Sequence, residues 1–174
     1  MNLLYDIPWG ENQSKINVII EINKGSKNKY EINKETGVIA LDRAMHTAQD
    51  YPFDYGFVPQ TLWHDGDALD VVLLTTHSLF PGCLVEARPV AVVHMVDAGE
   101  RDEKIIAVPV GDPRFDSVQE LSDINAHTIK EIKHFFLTYK QIQKKEVQIN
   151  GIGGRAEAEA AVIEGVEMYK NKKA

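Results

Sequence analysis

Cysteine is nearly absent. Cys83 is the only one among 174 residues, so no intrachain disulfide can form and a disulfide-framed secreted domain is excluded. Long apolar runs are missing as well: the longest near-apolar stretch, Pro89 to Val96, falls far short of the roughly 20 residues of a membrane span. The N-terminus, Met1-Asn-Leu-Leu-Tyr-Asp6, has neither the basic start nor the apolar stretch of a signal peptide. A soluble, cytoplasmic protein with no membrane partner is the expectation. Positive charge is in deficit, with 19 Lys and Arg against 26 Asp and Glu, a net charge of −7. That balance disfavours nucleic acid as a partner and suits a protein that holds divalent cations. Nucleotide and nucleophile signatures are also lacking: there is no G-x-x-x-x-G-K-[ST] loop and no G-x-S-x-G elbow. The six His show no zinc-ligand spacing. Gly151-Ile-Gly153-Gly-Arg-Ala156 does match G-x-G-x-x-A, but too little chain follows for a βαβ unit and its acidic ribose partner. It reads as a flexible turn opening a helix.

What is present fits one domain, residues 1–174, with 44% hydrophobic and 26% charged residues. Ile16 to Ile22 alternates, with Ile16, Val18 and Ile20 on one face and Asn17, Ile19 and Glu21 on the other. Lys29 to Ile32 alternates too, Asn33 to Gly37 is turn chemistry, and Val38 to Asp42 reads as the return strand of a hairpin. Val71 to Thr75, Leu84 to Val96 and Lys104 to Pro109 follow as strands, with Pro89 marking a bend or an edge. Helical spacing comes late. Ser122 is a plausible N-cap for a stripe of Ile129, Ile132, Phe136 and Tyr139, and a second helix runs from Ala156 to about Lys170 with Ala160, Ile163 and Val166 on one side. Short strands followed by two helices indicate an α+β fold, a small barrel or curled sheet with helices packed outside it.

The segment Asp65-Gly-Asp-Ala-Leu-Asp70 carries the most chemical information. Alone, Asp-Gly-Asp is turn composition. Here Asp70 opens a strand that should be buried, and crowded carboxylates resist ionisation. A hard divalent cation such as Mg2+ removes the conflict. An EF-hand is excluded, because counting from Asp65 puts Asp70 where Gly is required and Thr76 where Glu is required. A second acidic group, Asp97 to Lys104, reads as a hairpin tip carrying Asp97, Asp102 and Lys104. Glu21, Lys29, Glu31 and Arg43 lie on or beside the first strands, Tyr51-Pro-Phe-Asp-Tyr55-Gly56 sets two phenols around a rigid turn, and Tyr139-Lys140 ends the first helix. Taken singly, Lys29 and Glu31 suit a solvated strand face, and Tyr139 a core aromatic with a polar end.

In combination these segments resemble the soluble family I inorganic pyrophosphatases of prokaryotic type, from about Ile19 to Lys140. The resemblance implies a closed OB-like β-barrel with two helices outside, hydrolysing inorganic pyrophosphate with Mg2+, for which Mn2+ or Zn2+ could substitute. It implies that Asp65, Asp70, Asp97 and Asp102 hold metals and that Asp67 accepts the proton of the attacking water. Lys29, Arg43, Tyr55, Lys104, Tyr139 and Lys140 would contact the phosphates, with Glu21, Glu31 and Tyr51 in support, Glu31 sometimes through a further metal. It also implies a homo-oligomer, typically a hexamer. The chain departs from the family pattern at Ala68 (usually Pro), Asp54 (commonly Asn), Ala98 (frequently acidic) and Gly151-Ile152 (often Gly-Trp). The physics of the reaction agrees, since phosphoryl transfer to water calls for charge neutralisation and positioning more than covalent catalysis. Two other readings stay open on the residues alone. One is an OB-type binding module for oligonucleotides or oligosaccharides, which calls for a basic groove and exposed stacking aromatics. The other is a catalytically inactive, metal-binding homologue.

Overall fold

The computed structural model describes residues 1–173. The strands are β1 (Gly10–Asn12), β2 (Lys15–Ile22), β3 (Asn28–Ile32), β4 (Ile39–Ala44), β5 (Asp54–Phe57), β6 (Asp70–Leu73), β7 (Leu84–Asp97), β8 (Glu100–Arg101), β9 (Lys104–Pro109) and β10 (Val147–Gly154); the helices are α1 (Ala126–Thr138) and α2 (Arg155–Lys173). In the main sheet β2 pairs β5, β5 pairs β6, β6 pairs β9, β9 pairs β7, and β7 returns to pair β2. The ring is closed, as an OB-like barrel requires, and closure leaves these strands no unpaired edge. The fold is α+β, with both helices packed on this sheet.

Strand β7 makes closure possible by its length. Its first residues pair β2, its middle pairs β9, and its far end pairs β10 and β8. The register against β9 slips between Pro89 and Ala91, so the bend expected at Pro89 is a bulge, where a residue without an N–H is tolerated. On the opposite wall β2 and β5 approach closely at Gly56, where a Cβ would fall 1.9 Å from the carbonyl oxygen of Ile19. Only glycine fits there.

Alternate residues of each barrel strand feed separate cores. Ile105 and Ala107 join Val71, Leu73 and the α2 residues Ala158, Ala161 and Val162. Ile106 and Val108 join Val72, Tyr55 and the α1 residues Ile132, Phe135 and Phe136. A third, smaller cluster packs Leu4 against Ile19 and Phe57, so β2 is buried on both faces beyond its first residues.

Several sequence expectations shift. Helix α1 is capped by Asn125, whose side chain accepts the His127 N–H at 2.8 Å, not by Ser122. Ser122 instead sits in a short 3-10 turn, where Glu120 and Asp123 cap each other's ends. The buried side of α2 is Ala158, Ala161, Val162 and Val166, whereas Ala160 is exposed and Ile163 half-buried; an alanine-rich helix gives a weak stripe. The Gly151–Gly154 stretch is not a flexible turn but the end of β10, paired with His94 through Ala91. Asp54–Phe57 is likewise a strand, not part of a turn.

Candidate active site

Parallel strands start at the same end of a sheet, and that rule builds the site. β6 and β9 are parallel, with Asp70 in register with Lys104. Asp102 lies two residues before Lys104 and is fixed by its N–H to the Met95 carbonyl at 2.9 Å. The β7–β8 hairpin folds Asp97 onto the same end through a two-residue turn, Ala98-Gly99. Ala98 adopts φ 51° there, a primed-turn conformation that costs a non-glycine residue roughly 1 kcal/mol. The loop before β6 turns at Gly66 with φ 86° and presents Asp65 and Asp67. The Asp67 N–H donates to Asp65 Oδ1 at 3.0 Å.

The result is an open cavity of about 250 Å³ lined by Glu21, Lys29, Glu31, Tyr51, Tyr55, Asp65, Asp67, Asp70, Asp97, Asp102, Lys104, Tyr139 and Lys140. Arg43 is the one residue assigned from sequence that does not line it. It stands opposite Lys29 in the β3–β4 register, with its guanidinium on Asp42, which also lies 3.7 Å from Lys29. Glu31 pairs with Lys29, and Asp97 with Lys140. Lys34 was not singled out from sequence. The β3–β4 turn swings it over the metal loop, where it pairs with Asp67 and donates to the Gly66 carbonyl at 3.3 Å. A lysine in a polar turn carries no local signal for this.

Among the described residues, Asp65, Asp70 and Asp102 form the one group able to hold a metal ion, each offering an oxygen within 4.8 Å of the others. Asp97 stands beside them without joining the trio. The donor set fits a hard divalent cation, being all carboxylate oxygen. Burial raises the pKa of each of the three carboxyls, and charges within the trio add to it. Lys104 is the main internal relief for Asp70 and Asp102, with the Asp67 N–H easing Asp65 and the Tyr55 hydroxyl easing Asp70. Its Nζ donates to Asp70 Oδ2 and Asp102 Oδ1, both at 2.5 Å, and lies 5.9 Å from the Tyr55 ring centroid. Burial works to lower its pKa, and the Asp70 and Asp102 carboxylates more than reverse that. One ammonium cannot balance three carboxylates, and a bound divalent cation would make up the difference.

The tyrosines are planted in an aromatic cluster. Ring centroids lie 5.7 Å apart for Tyr51 and Tyr55, 4.8 Å for Tyr51 and Phe135, and 5.1 Å for Phe135 and Tyr139. Burial, reinforced by nearby carboxylates, drives the pKa of Tyr55 and Tyr139 upward, and burial does the same to Tyr51. These phenols are neutral hydrogen-bond donors. With exposures of 2%, 7% and 9% for Tyr51, Tyr55 and Tyr139, they offer no stacking platform for bases or sugars, which removes the support for a binding module. Asp54 faces away from the site. It is fully buried and accepts the Lys24 N–H at 2.7 Å and the Thr75 hydroxyl at 2.5 Å.

Glu21 accepts the Ile32 N–H at 2.7 Å and so fastens the β3–β4 hairpin to the barrel. Burial first, and the Asp70 charge second, push its pKa up to about 8. The sign follows from linkage: with a folded pKa above the unfolded one, stability declines as pH rises from about 4.5 toward 8. Glu21→Gln cannot ionise and still accepts the Ile32 N–H. The metal-free variant therefore keeps the stability of the native chain at pH 5 and exceeds it at pH 8, as thermal melts at the two pH values will show.

Comparison with known proteins agrees with this geometry. A family model described as inorganic pyrophosphatase matches residues 18–170. The chain is 44% identical to an inorganic pyrophosphatase of Nostoc sp. over 164 residues, covering 94% of this chain and 97% of the relative. It is also 44% identical to one of Haloferax volcanii, covering 98% and 97%. The crystal structure of the inorganic pyrophosphatase from Thermus thermophilus superimposes with a TM-score of 0.93 at 40% identity, covering 98% of this chain and 99% of that one. The Helicobacter pylori enzyme gives 0.91 at 38%, covering 95% and 99%. A closed barrel with a carboxylate trio at one end, matched by sequence and structure along nearly its whole length, places this chain in the inorganic pyrophosphatase family.

Proposed function

We propose that this chain hydrolyses inorganic pyrophosphate to two phosphates, using Mg2+ held at Asp65, Asp70 and Asp102 with Asp97 beside them. One observation carries the reading: a single cavity juxtaposes a carboxylate trio with the ammonium groups of Lys29, Lys104 and Lys140. Carboxylates alone would repel pyrophosphate, and cations alone would not hold a metal. What the bound cations supply is Lewis acidity, placing positive charge against phosphoryl oxygens and lowering the pKa of water. The remaining work belongs to the side chains. Asp67, set apart from the trio and open to solvent, takes the proton of the attacking water. Lys29, Lys104 and Lys140 bind the phosphates, and the neutral hydroxyls of Tyr55 and Tyr139 donate to their oxygens. Arg43 serves from the rim, where it must leave Asp42 to reach substrate. Glu21, Glu31 and Tyr51 fix the hairpin and the phenols.

We place this activity in one domain acting in the cytoplasm as a homo-oligomer, a hexamer on the family resemblance. Exposed Leu137 and Ile142, at and just beyond the end of α1, supply apolar surface suited to a second copy. No helix among the described residues is long and apolar enough to cross a membrane. The test is phosphate release from pyrophosphate by the purified chain. Release should be fast with Mg2+ and abolished by chelator, and Mn2+ or Zn2+ should restore part of it. Folded protein releasing no phosphate with any of the three metals would sink the enzyme reading in favour of a catalytically inactive metal binder.

A further inference from the structure

Behind the carboxylate trio the same loops carry a second polar set that faces away from the cavity. Trp63 is buried in the α2-side core, yet its indole N–H crosses to the neighbouring strand and donates to Glu103 Oε2 at 2.7 Å. Glu103, itself only 5% exposed, stands between Asp102 and Lys104 just ahead of β9, with its carboxylate on Trp63 rather than in the cavity. Its second oxygen accepts from Arg101 Nε at 2.9 Å, and the Arg101 guanidinium lies 5.2 Å from the Trp63 ring centroid. Arg101 Nη1 donates onward to Glu164 of α2 at 3.2 Å, and the same carboxylate oxygen meets His64 Nε2 at 2.7 Å.

The backbone of Trp63 also closes the metal loop. Its N–H donates to the Asp67 carbonyl at 2.7 Å, and its carbonyl accepts from the Gly66 N–H at 3.0 Å. The loop is thus a small ring pinned at Trp63, with Asp65 and Asp67 on its rim. One indole–carboxylate bond ties that ring to the segment that carries Asp102 and leads into Lys104 of β9. Asp65 and Asp102 repel each other when both are ionised, so contacts outside the pair must hold them close.

We infer that Trp63, Glu103 and Arg101 are positioning residues that hold Asp65 at ligating distance from Asp70 and Asp102 before any cation binds. Partners behind a ligand set fix its geometry, and their loss typically lowers metal affinity. The inference rests on the reading of the trio as a metal site.

The test is calorimetric titration of Mg2+ into the full chain without pyrophosphate. Trp63→Phe keeps an apolar aromatic but loses the N–H together with the second ring of the buried indole, while Glu103→Gln keeps the shape and loses one acceptor and the charge. Each should raise the Mg2+ Kd roughly tenfold, with kcat at saturating Mg2+ within about threefold of the native value. Val162→Ala, in the same apolar cluster, should lower the Tm and leave the Mg2+ Kd unchanged, which separates positioning from general stability. Native Mg2+ affinity in folded Trp63→Phe and Glu103→Gln overturns the inference. A native chain that binds no Mg2+ overturns the metal-site reading with it.

Discussion

Asp67→Asn is expected to fold, to bind metal with native affinity and to lose about 10²–10⁴-fold in kcat, the range of a general base. The substitution is isosteric and leaves untouched the Asp67 N–H that bonds Asp65 Oδ1. The metal loop therefore keeps its shape. The side chain is 59% exposed and its ion pair with Lys34 is exposed as well, so the stability change stays below about 1 kcal/mol. Asn has no basic lone pair for the water proton, and the other carboxylates of the cavity are engaged: Asp65, Asp70 and Asp102 are grouped together, Asp97 is held by Lys140, Glu31 by Lys29 and Glu21 by the Ile32 N–H, whereas Asp67 meets only the solvent-exposed Lys34. Phosphate release with saturating Mg2+, beside a thermal melt of the same preparation, measures both quantities. A kcat within threefold or so of the native value would move the base role away from Asp67.

Lys104→Met should have the largest effect on the fold. The native ammonium is buried and bonds two carboxylates that are themselves largely buried. Removing one partner of such a pair costs about 3–5 kcal/mol, because the other charges stay behind uncompensated. Two treatments should recover stability. Acid protonates Asp70 and Asp102, whose pKa values burial already raises; a group with a raised folded pKa favours the folded state more as pH falls. Mg2+ supplies the missing positive charge directly. The variant should therefore melt well below the native chain at pH 8 without metal, and much closer to it at pH 5 or with Mg2+. Activity should fall by roughly 10²-fold even when the fold is restored, the usual loss for one donor to a developing charge. A melting point insensitive to both pH and Mg2+ would contradict this account of the trio.

Much of the site was legible because its acids are local in sequence. Asp65, Asp67 and Asp70 lie within one loop and strand start, and Asp97, Asp102 and Lys104 within one hairpin, so spacing and turn chemistry sufficed to group each set. Their meeting with each other was not local. It depends on the parallel pairing of β6 with β9 and on ring closure through β7 and β2, which entered only with the family resemblance. Lys34 escaped notice because tertiary placement of the β3–β4 turn, not its own neighbours, brings it to Asp67. Trp63 and Glu103 carry no local signal of their pairing, which arises only when the fold turns them toward each other. The start of α1 was misplaced because Ser122 and Asn125 are both good caps in isolation, and a 3-10 turn claims the first. Gly151–Gly154 looked unstructured from composition, yet ladder pairing with β7 overrides the low strand propensity of glycine.

The parallel register of Asp70 with Lys104 also governs the order of assembly. Antiparallel neighbours such as β3 and β4 meet across a short turn, whereas β6 and β9 can align only after the long excursion of β7 has folded back between them in sequence. Loop-closure entropy puts such a contact late along the folding route. On that order the carboxylate trio is expected to form after the transition state, as folding and unfolding rates measured with and without Mg2+ will show. Cation binding then slows unfolding while leaving the folding rate nearly unchanged. A cation held by the trio would then act as a latch on the finished barrel rather than a seed for it.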